Sequence, residues 1–190
     1  MDWYFDIETA KLDPHDTNRK ANLEPETGKI ITIQLQLVDE VSCEPIGPLN
    51  ILKEWEPGCS ERTILEQVKP LITGNHWDFV MLGYNLSFEY KFLSAKFRQY
   101  FNLELSAKDW LERPLKDMKL IGIILNDGSF KGASLSSFTS KPQDGAMVPL
   151  WYERGEYDLI LEYVEKEAES FLKAWKEVNF ELRKKFQKRR

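Results

Sequence analysis

Two carboxylates lie two residues apart near the start of the sequence, within residues 3–10 (WYFDIETA). Apolar and polar side chains alternate here, which predicts a strand with Asp6 and Glu8 on the same face. The strand spacing places these two carboxylates roughly 7 Å apart. Like charges on a largely apolar strand are costly unless a cation neutralises them, and a divalent cation with oxygen ligands does so directly. The alternative is an edge strand with a solvated acidic face.

Two more carboxylates occupy unusual positions in helical patterns. Residues 78–83 (DFVMLG) predict a buried parallel strand that leads into a helix, and Glu89 falls in the first turn of that helix. If Glu89 is considered by itself, a stabilising role at the helix N-terminus is a sufficient explanation. However, Glu89 also lies just beyond the carboxyl end of a strand, where α/β sheets usually bind ligands. Glu167 is the one charged member of a long apolar helical stripe, where it needs a cationic partner or a metal.

The rest of the sequence predicts the elements that must position these carboxylates. Residues 30–40 alternate strictly, so we expect a half-buried strand with Ile31 and Ile33 on its apolar face. The predicted elements are, in order, strands at 3–10, 30–40 and 49–55, a helix capped by Ser60 and ended by Gly74, a strand at 78–83, a helix from residue 86, a short strand within 105–112, helices at 115–125 and 134–140, a loop at 142–149, and a long C-terminal helix.

The composition is that of a folded globular chain. With 190 residues, 42% hydrophobic and 30% charged, the sequence predicts one domain across residues 1–190 and excludes a mainly disordered protein. The formal net charge of -5 averages an acidic body with a basic C-terminal tail, residues 183–190, which is either solvated or a contact for phosphates. Cys43 and Cys59 are too few for a disulfide framework and lack the spacing of metal ligands, and both observations fit a reducing compartment. Since neither a signal peptide nor a membrane-spanning run is evident, we expect a cytoplasmic protein that does not bind membranes.

The carboxylates and their surroundings resemble the three motifs of the DEDD superfamily of 3′-5′ exonucleases, in its tyrosine form. Residues 5–9 (FDIET) resemble the first motif, residues 83–89 (GYNLSFE) the second and residues 163–167 (YVEKE) the third. Residues 115–118 and 132–138 also resemble the segments that connect the motifs in these enzymes.

The resemblance implies a fold and an activity. The fold would be a ribonuclease H-like α/β fold, with a mixed sheet of three antiparallel strands followed by parallel strands, flanked by helices. The activity would be hydrolysis of phosphodiester bonds at the free 3′ end of single-stranded nucleic acid, with two divalent cations, Mg²⁺ or Mn²⁺. DNA is expected over RNA because Gly-Tyr-Asn in the second motif resembles DNA-polymerase proofreading domains. A replication or repair protein would be a partner that binds in trans.

The resemblance also assigns roles to individual residues. Metal binding and catalysis would involve five residues, namely Asp6, Glu8, Glu89, Tyr163 and Glu167. Three further residues would contact the substrate, namely Thr9, Asn85 and Phe88. Asp6 would bridge both cations, and Tyr163 would orient the attacking water. The structural alternatives are helix packing for Tyr163, turn formation for Asn85 and core packing for Phe88.

The sequence departs from the family at two positions, where glutamate replaces aspartate at Glu89 and Glu167. Each side chain is one methylene longer, and Mg²⁺ is strict about octahedral geometry. Either the backbone compensates, or metal binding is weak, or the chain is a weakened or inactive module that binds nucleic acid or a protein partner. A soluble α/β domain with a purely structural acidic cluster is a further alternative.

Overall fold

A five-stranded mixed sheet carries the first two carboxylates on its central strand. The computed structural model describes residues 1–131, 133–139 and 145–187, without the side chains of residues 109 and 185–187. The strands are β1 (Asp2–Lys11), β2 (Gly28–Val38), β3 (Pro45–Lys53), β4 (Val80–Gly83) and β5 (Leu115–Asp117). Their order is β3-β2-β1-β4-β5, with antiparallel pairing among β1, β2 and β3 and parallel pairing of β4 with β1 and β5. The structure thus confirms the α/β fold with a ribonuclease H-like sheet.

Helices cover both faces of this sheet. They are α1 (Glu61–Thr73), α2 (Leu86–Phe101), α3 (Ala107–Glu112), α4 (Met118–Leu125), α5 (Val148–Arg154) and α6 (Tyr157–Gln187). On one face, Phe5 and Ile7 pack in a core with residues of α1 and α2. On the opposite face, Tyr4 and Leu82 pack against α6. The alternation of β1 therefore directs Asp6 and Glu8 toward the α6 side of the sheet.

The start of α1 follows the sequence prediction in atomic detail. The Ser60 hydroxyl accepts a hydrogen bond from the backbone N–H of Thr63, and the Thr63 hydroxyl accepts one from the Ser60 N–H. This reciprocal arrangement satisfies two donors that a helix start otherwise leaves unpaired. The helix ends before Gly74, as its sequence predicts.

Both faces of β2 are buried, so the expectation of a half-buried strand is wrong. Thr32 and Gln34 are fully buried, and the Gln34 amide donates to the Thr32 hydroxyl at 2.9 Å. A register shift in the pairing of β1 with β2 also separates Ile31 from Ile33. Ile31 packs with α5 and α6, whereas Ile33 packs with α1 and α2. The long helix α6 therefore converts an alternating strand into one that is covered on both sides.

The segment between α2 and α5 departs furthest from the prediction. Residues 105–112, predicted to hold a strand, contain the helix α3. Trp110 on that helix is buried and packs against Tyr90, with 4.9 Å between the ring centroids. The last strand, β5, instead occupies the start of the predicted helix at 115–125, and α4 begins only at Met118. Short apolar segments do not distinguish a strand from a buried helix, which explains both errors.

Two shorter predictions in this region need correction as well. The predicted helix at 134–140 is only a 3-10 turn, Leu135–Ser137, and residue 140 lies outside the described residues. In the predicted loop at 142–149, residues 142–144 also lie outside them, Gly145–Met147 form a 3-10 turn, and Pro149 already belongs to the first turn of α5. Proline is well placed there because the first helical turn does not need its N–H.

Helix α6 confirms the long C-terminal helix and its apolar stripe. The buried members of the stripe are Ile160, Tyr163, Val164, Glu167, Phe171 and Trp175. Beyond them the helix leaves the core, and Phe180 is 64% exposed. The predicted basic tail at 183–190 is partly helical, since α6 continues to Gln187, and residues 188–190 lie outside the described residues. Within the described parts of the chain, no helix is both long enough and apolar enough to cross a bilayer.

Candidate functional site

Three of the four predicted carboxylates come together between β1 and α6. Asp6, Glu8 and Glu167 each offer an oxygen, and these oxygens all lie within 4.8 Å of one another. Asp6 and Glu8 are half-buried, and Glu167 is 9% exposed. Convergence of three carboxylates in a partly desolvated place is unfavourable without a positive charge. The set consists of carboxylate oxygens only, which suits hard cations such as Mg²⁺, Mn²⁺ or Ca²⁺.

The end of β4 leaves this part of β1 accessible. The pairing of β4 with β1 reaches only Tyr4, opposite Leu82, so the edge of β1 beyond it has no parallel neighbour. The chain turns away at Gly83, where an added Cβ would lie 2.8 Å from the Phe5 carbonyl oxygen and 2.6 Å from Leu86 Cδ2. A glycine is therefore required for the close approach that precedes the turn into α2.

Glu89 reaches the same region from the first turn of α2, but it does not belong to the three-carboxylate cluster. It is 3% exposed, and its Oε2 has no hydrogen-bond partner among the described residues. Burial raises the pKa of Glu89 well above its ordinary value of 4.5, and the nearby charge of Asp6 raises it further. The neutral form of this carboxyl is thus favoured whenever no cation is near it.

The turn that presents Glu89 is held by Asp117 at the end of β5. Asp117 Oδ1 accepts from the Asn85 N–H at 2.8 Å, and Oδ2 accepts from the Leu86 N–H at 2.9 Å. Oδ1 also accepts from the Lys119 N–H at 2.9 Å, which caps the start of α4. One buried carboxylate therefore satisfies donors at the starts of two helices, where negative charge is favoured.

Two tyrosines contact the carboxylate cluster. The Tyr4 hydroxyl donates to Asp6 Oδ2 at 3.4 Å. Tyr163 lies one helical turn before Glu167, and its hydroxyl forms a hydrogen bond with the Glu167 side chain. The Tyr163 ring packs near Trp151, with 6.1 Å between the ring centroids. Burial raises the pKa of the Tyr163 hydroxyl well above 10.0, and the charges of Glu8 and Glu167 add to this effect. Burial likewise raises the pKa of Tyr4. Both hydroxyls therefore keep their protons and act as donors at neutral pH.

All of the predicted site residues line one cavity of about 740 Å³, which we call the acidic cavity. It is lined by residues of β1, the start of α2, α5, α6 and the polar segment between β1 and β2. The predicted substrate residues Thr9, Asn85 and Phe88 belong to its lining as well. A cavity of this size accommodates a ligand as large as a nucleotide.

The three predicted substrate residues also have structural contacts. The Thr9 hydroxyl donates to the Asn22 carbonyl at 2.6 Å. Asn85 adopts a left-handed conformation (φ 64°), and its side-chain oxygen accepts from Lys119 Nζ at 2.8 Å. Phe88 is half-buried, and its ring packs at a tilt against Phe92, with 4.9 Å between the ring centroids. Turn formation for Asn85 and core packing for Phe88 are therefore real roles of these side chains, and substrate contact remains a prediction.

Sequence reasoning did not identify Tyr4 and Asp117. The signal for Tyr4 was present, because it precedes Asp6 by two residues and so shares its face of β1. The position of Asp117 is harder to recognise, because the sequence pattern predicts a single helix over residues 115–125 and so places Asp117 inside it. An aspartate immediately before an apolar helical stretch is typical of a helix cap, and that pattern would have placed the start of α4 correctly.

Comparisons with known proteins found no matching family model and no matching curated protein. Among solved structures, the chain is similar to apo exonuclease I, with 15% sequence identity and a TM-score of 0.48, over 72% of this chain and 35% of that chain. It is also similar to E. coli exonuclease I in complex with a dT13 oligonucleotide, with 15% identity and a TM-score of 0.44, over 65% of this chain and 28% of that chain. The chain thus spans about a third of the length of these structures or less.

Proposed function

We propose that this chain is a metal-dependent 3′-5′ exonuclease that removes nucleotides from single-stranded nucleic acid, with DNA preferred over RNA. The observation that carries the proposal is the convergence of Asp6, Glu8 and Glu167 on one another in a cavity large enough for a nucleotide. The order and spacing of the motifs that these residues belong to support the same activity. The proposal treats residues 1–190 as one exonuclease-like domain.

The proposed cofactors are two divalent cations, Mg²⁺ or Mn²⁺. Asp6, Glu8 and Glu167 would hold the first cation, and Asp6 would share the second with Glu89. Bound there, the cations would make a water more acidic and neutralise the charge that develops on the phosphate and on the leaving oxygen. Because Glu89 is buried and its pKa is raised, cation binding beside it would be accompanied by release of a proton.

The chain's own residues would position the reacting groups. The Tyr4 hydroxyl holds Asp6, and the Tyr163 hydroxyl is bonded to Glu167. Since the raised pKa of Tyr163 keeps its proton in place, this hydroxyl acts as a donor that orients Glu167 and the water beside it. The half-buried ring of Phe88 offers a surface on which a terminal base can stack, a contact worth roughly 1 to 3 kcal/mol.

A binding module without catalysis is the second candidate, and the burial of Glu89 favours it. A neutral glutamic acid is a poor cation ligand, so a site that keeps Glu89 protonated would bind only one cation well. The module would then hold single-stranded nucleic acid without hydrolysing it.

The test compares wild type with Asp6→Ala on 5′-labelled single-stranded DNA and the matching RNA, with Mg²⁺, with Mn²⁺ and with EDTA. We expect shortening of the DNA with either metal, none with EDTA, and none with Asp6→Ala. Addition of Mn²⁺ should also raise the melting temperature of wild type and leave that of Asp6→Ala unchanged, because a ligand stabilises only the state that binds it. Folded wild-type protein that binds the oligonucleotide and never shortens it would favour the binding module.

A further inference from the structure

The acidic cavity is lined by more carboxyl groups than cationic side chains. Among the described residues that line it, five carry a carboxyl group, namely Asp6, Glu8, Glu89, Glu153 and Glu167. Two are cations, namely Lys11 and Arg19. A nucleic-acid strand carries one negative charge per phosphate, so it approaches this cavity against repulsion wherever no cation faces it. The cationic side chains of the lining are therefore the natural contacts for the strand's backbone.

These two cations differ in their surroundings. Lys11 Nζ, at the end of β1, donates to the Asp16 carbonyl at 2.8 Å, and this contact holds its side chain against the segment that follows the strand. Arg19 is exposed at the rim, and its side chain forms no hydrogen bond or ion pair with any of the residues that the structure describes. A guanidinium presents its donors in a planar fork that matches two phosphate oxygens at once.

The backbone around Arg19 is fixed on both sides. The Asp16 side chain accepts from the Asn18 N–H at 2.7 Å, and the Asn18 side chain accepts from the Lys20 N–H at 3.0 Å. Both contacts are side-chain-to-backbone hydrogen bonds within a turn, and they fix the backbone conformation on either side of Arg19. Arg19 is therefore presented from an ordered segment, which lowers the entropy that its binding to a phosphate would cost.

The same segment is tied directly to the carboxylate cluster. Thr9 follows Glu8 in β1, and its hydroxyl donates to the Asn22 carbonyl at 2.6 Å. At the base of the segment, the Leu12 N–H donates to the Thr27 carbonyl at 2.8 Å. The position of Arg19 relative to Glu8 is thus restrained by the Thr9–Asn22 hydrogen bond and by the Leu12–Thr27 hydrogen bond that closes the segment between β1 and β2.

We infer that Arg19 binds a backbone phosphate of the substrate strand at the rim of the acidic cavity. The inference rests on the proposed function, because it names a contact that the same cavity would make with the substrate strand. Arg19 contributes to strand affinity and leaves the metal cluster unchanged. Its loss therefore affects binding, and with it KM, more than kcat.

The test measures binding of 5′-fluorescein-labelled oligothymidine by fluorescence anisotropy as a function of salt, in the presence of Mg²⁺. All proteins carry Asp6→Asn so that cleavage does not interfere. The added substitutions are Arg19→Gln, Arg19→Lys and, as a matched control, Lys20→Gln. Lys20 is the adjacent exposed cation and is not part of the cavity lining. Each phosphate contact to a single strand contributes about 0.7 to the slope of log affinity against log salt.

We expect Arg19→Gln to weaken binding several-fold at low salt and to reduce the slope by about 0.7. Arg19→Lys should keep most of the slope, because it keeps the charge, and Lys20→Gln should leave the slope unchanged. Equal slopes for the parent and Arg19→Gln, equal effects of Arg19→Gln and Lys20→Gln, or a parent that does not bind would each overturn the inference. Binding with the expected slopes but no hydrolysis by the chain with native Asp6 would contradict the proposed function and leave the role of Arg19 standing.

Discussion

Asp117 Oδ2 accepts a hydrogen bond from the Leu86 N–H at 2.9 Å, although the two residues are 31 positions apart in the sequence. This contact joins the end of β5 to the start of α2. Since Glu89 lies in the first turn of α2, the position of its buried carboxyl depends on Asp117. The turn between β4 and α2 is therefore held in place by a residue that lies outside it.

Replacement of Asp117 by asparagine should destabilise this turn. An amide has one acceptor oxygen, so one of the buried N–H groups of Asn85 and Leu86 would face an NH₂ group instead. We expect a loss of about 1 to 3 kcal/mol in the free energy of unfolding, measured by urea denaturation, with lower nuclease activity in the folded variant. Asp127→Asn, at a residue with a left-handed backbone that asparagine tolerates, is the control. Equal stabilities of Asp117→Asn and wild type would contradict this role.

The pKa of Glu89 predicts a pH-dependent effect of Glu89→Gln in the metal-free protein. Its folded-state pKa is raised, so the stability that Glu89 contributes is complete below its ordinary value of 4.5 and is lost as pH rises through the folded-state pKa. Glutamine does not titrate, so the variant does not lose this stability as the pH rises. We therefore expect Glu89→Gln to match wild type at acidic pH and to be more stable at neutral pH.

Urea unfolding in EDTA across this pH range measures the difference directly. Glu177→Gln, at an exposed position on α6, controls for the loss of a surface charge. A Glu89→Gln variant that is less stable than wild type at neutral pH would mean that the glutamate is stabilised as a carboxylate, by a cation or by a donor.

Tyr163→Phe should separate activity from stability. It removes the hydroxyl that is bonded to Glu167 and keeps the ring that packs near Trp151. Loss of a contact that orients a metal ligand typically costs 10- to 100-fold in activity or metal affinity, so we expect a fall of about that size. Tyr152→Phe removes the hydroxyl of a half-buried tyrosine, bonded to Glu54, and should leave activity unchanged. Full activity of Tyr163→Phe would show that the hydroxyl is not needed for activity and that Tyr163 contributes only the packing of its ring.

Glu167→Asp tests whether the backbone is built for the longer side chain. The present geometry brings the Glu167 oxygen within 4.8 Å of those of Asp6 and Glu8, and aspartate withdraws it by roughly 1.5 Å. A misplacement of about 1 Å can lower the rate about 100-fold, and we expect a loss of that order in kcat. Glu165→Asp, on the exposed side of the same helix, is the matched control. Activity of Glu167→Asp equal to or higher than that of wild type would contradict the idea that the backbone is positioned for the longer glutamate side chain.

The parts of the fold that the sequence predicts are those with a local periodic signal. The alternation in β1, the capping residues at Ser60 and the apolar stripe of α6 each specify one element, and the structure contains all three. The placement of Asp6 and Glu8 on one face follows from the same alternation.

What the sequence does not predict depends on contacts between distant residues. The alternation of β2 predicts that Gln34 faces solvent, whereas in the structure α6 covers that face of the sheet and Gln34 is buried. Asp117 acquires its role from Asn85, 32 positions away, and no local pattern records that pairing. Arg19 lies in a polar segment without periodicity, which a hydrogen bond from the Thr9 hydroxyl to the Asn22 carbonyl joins to β1 beside the cavity.

The direction of degradation tests the central claim most directly. Two 5′-labelled single-stranded DNA oligonucleotides of one sequence are compared, one with a free 3′ hydroxyl and one whose 3′ end is blocked by an inverted nucleotide, with Mn²⁺ and either wild type or Asp6→Ala. The account predicts a stepwise ladder from the free oligonucleotide with wild type only, and an intact blocked oligonucleotide. Equal cleavage of both oligonucleotides, or cleavage that survives Asp6→Ala, would contradict it.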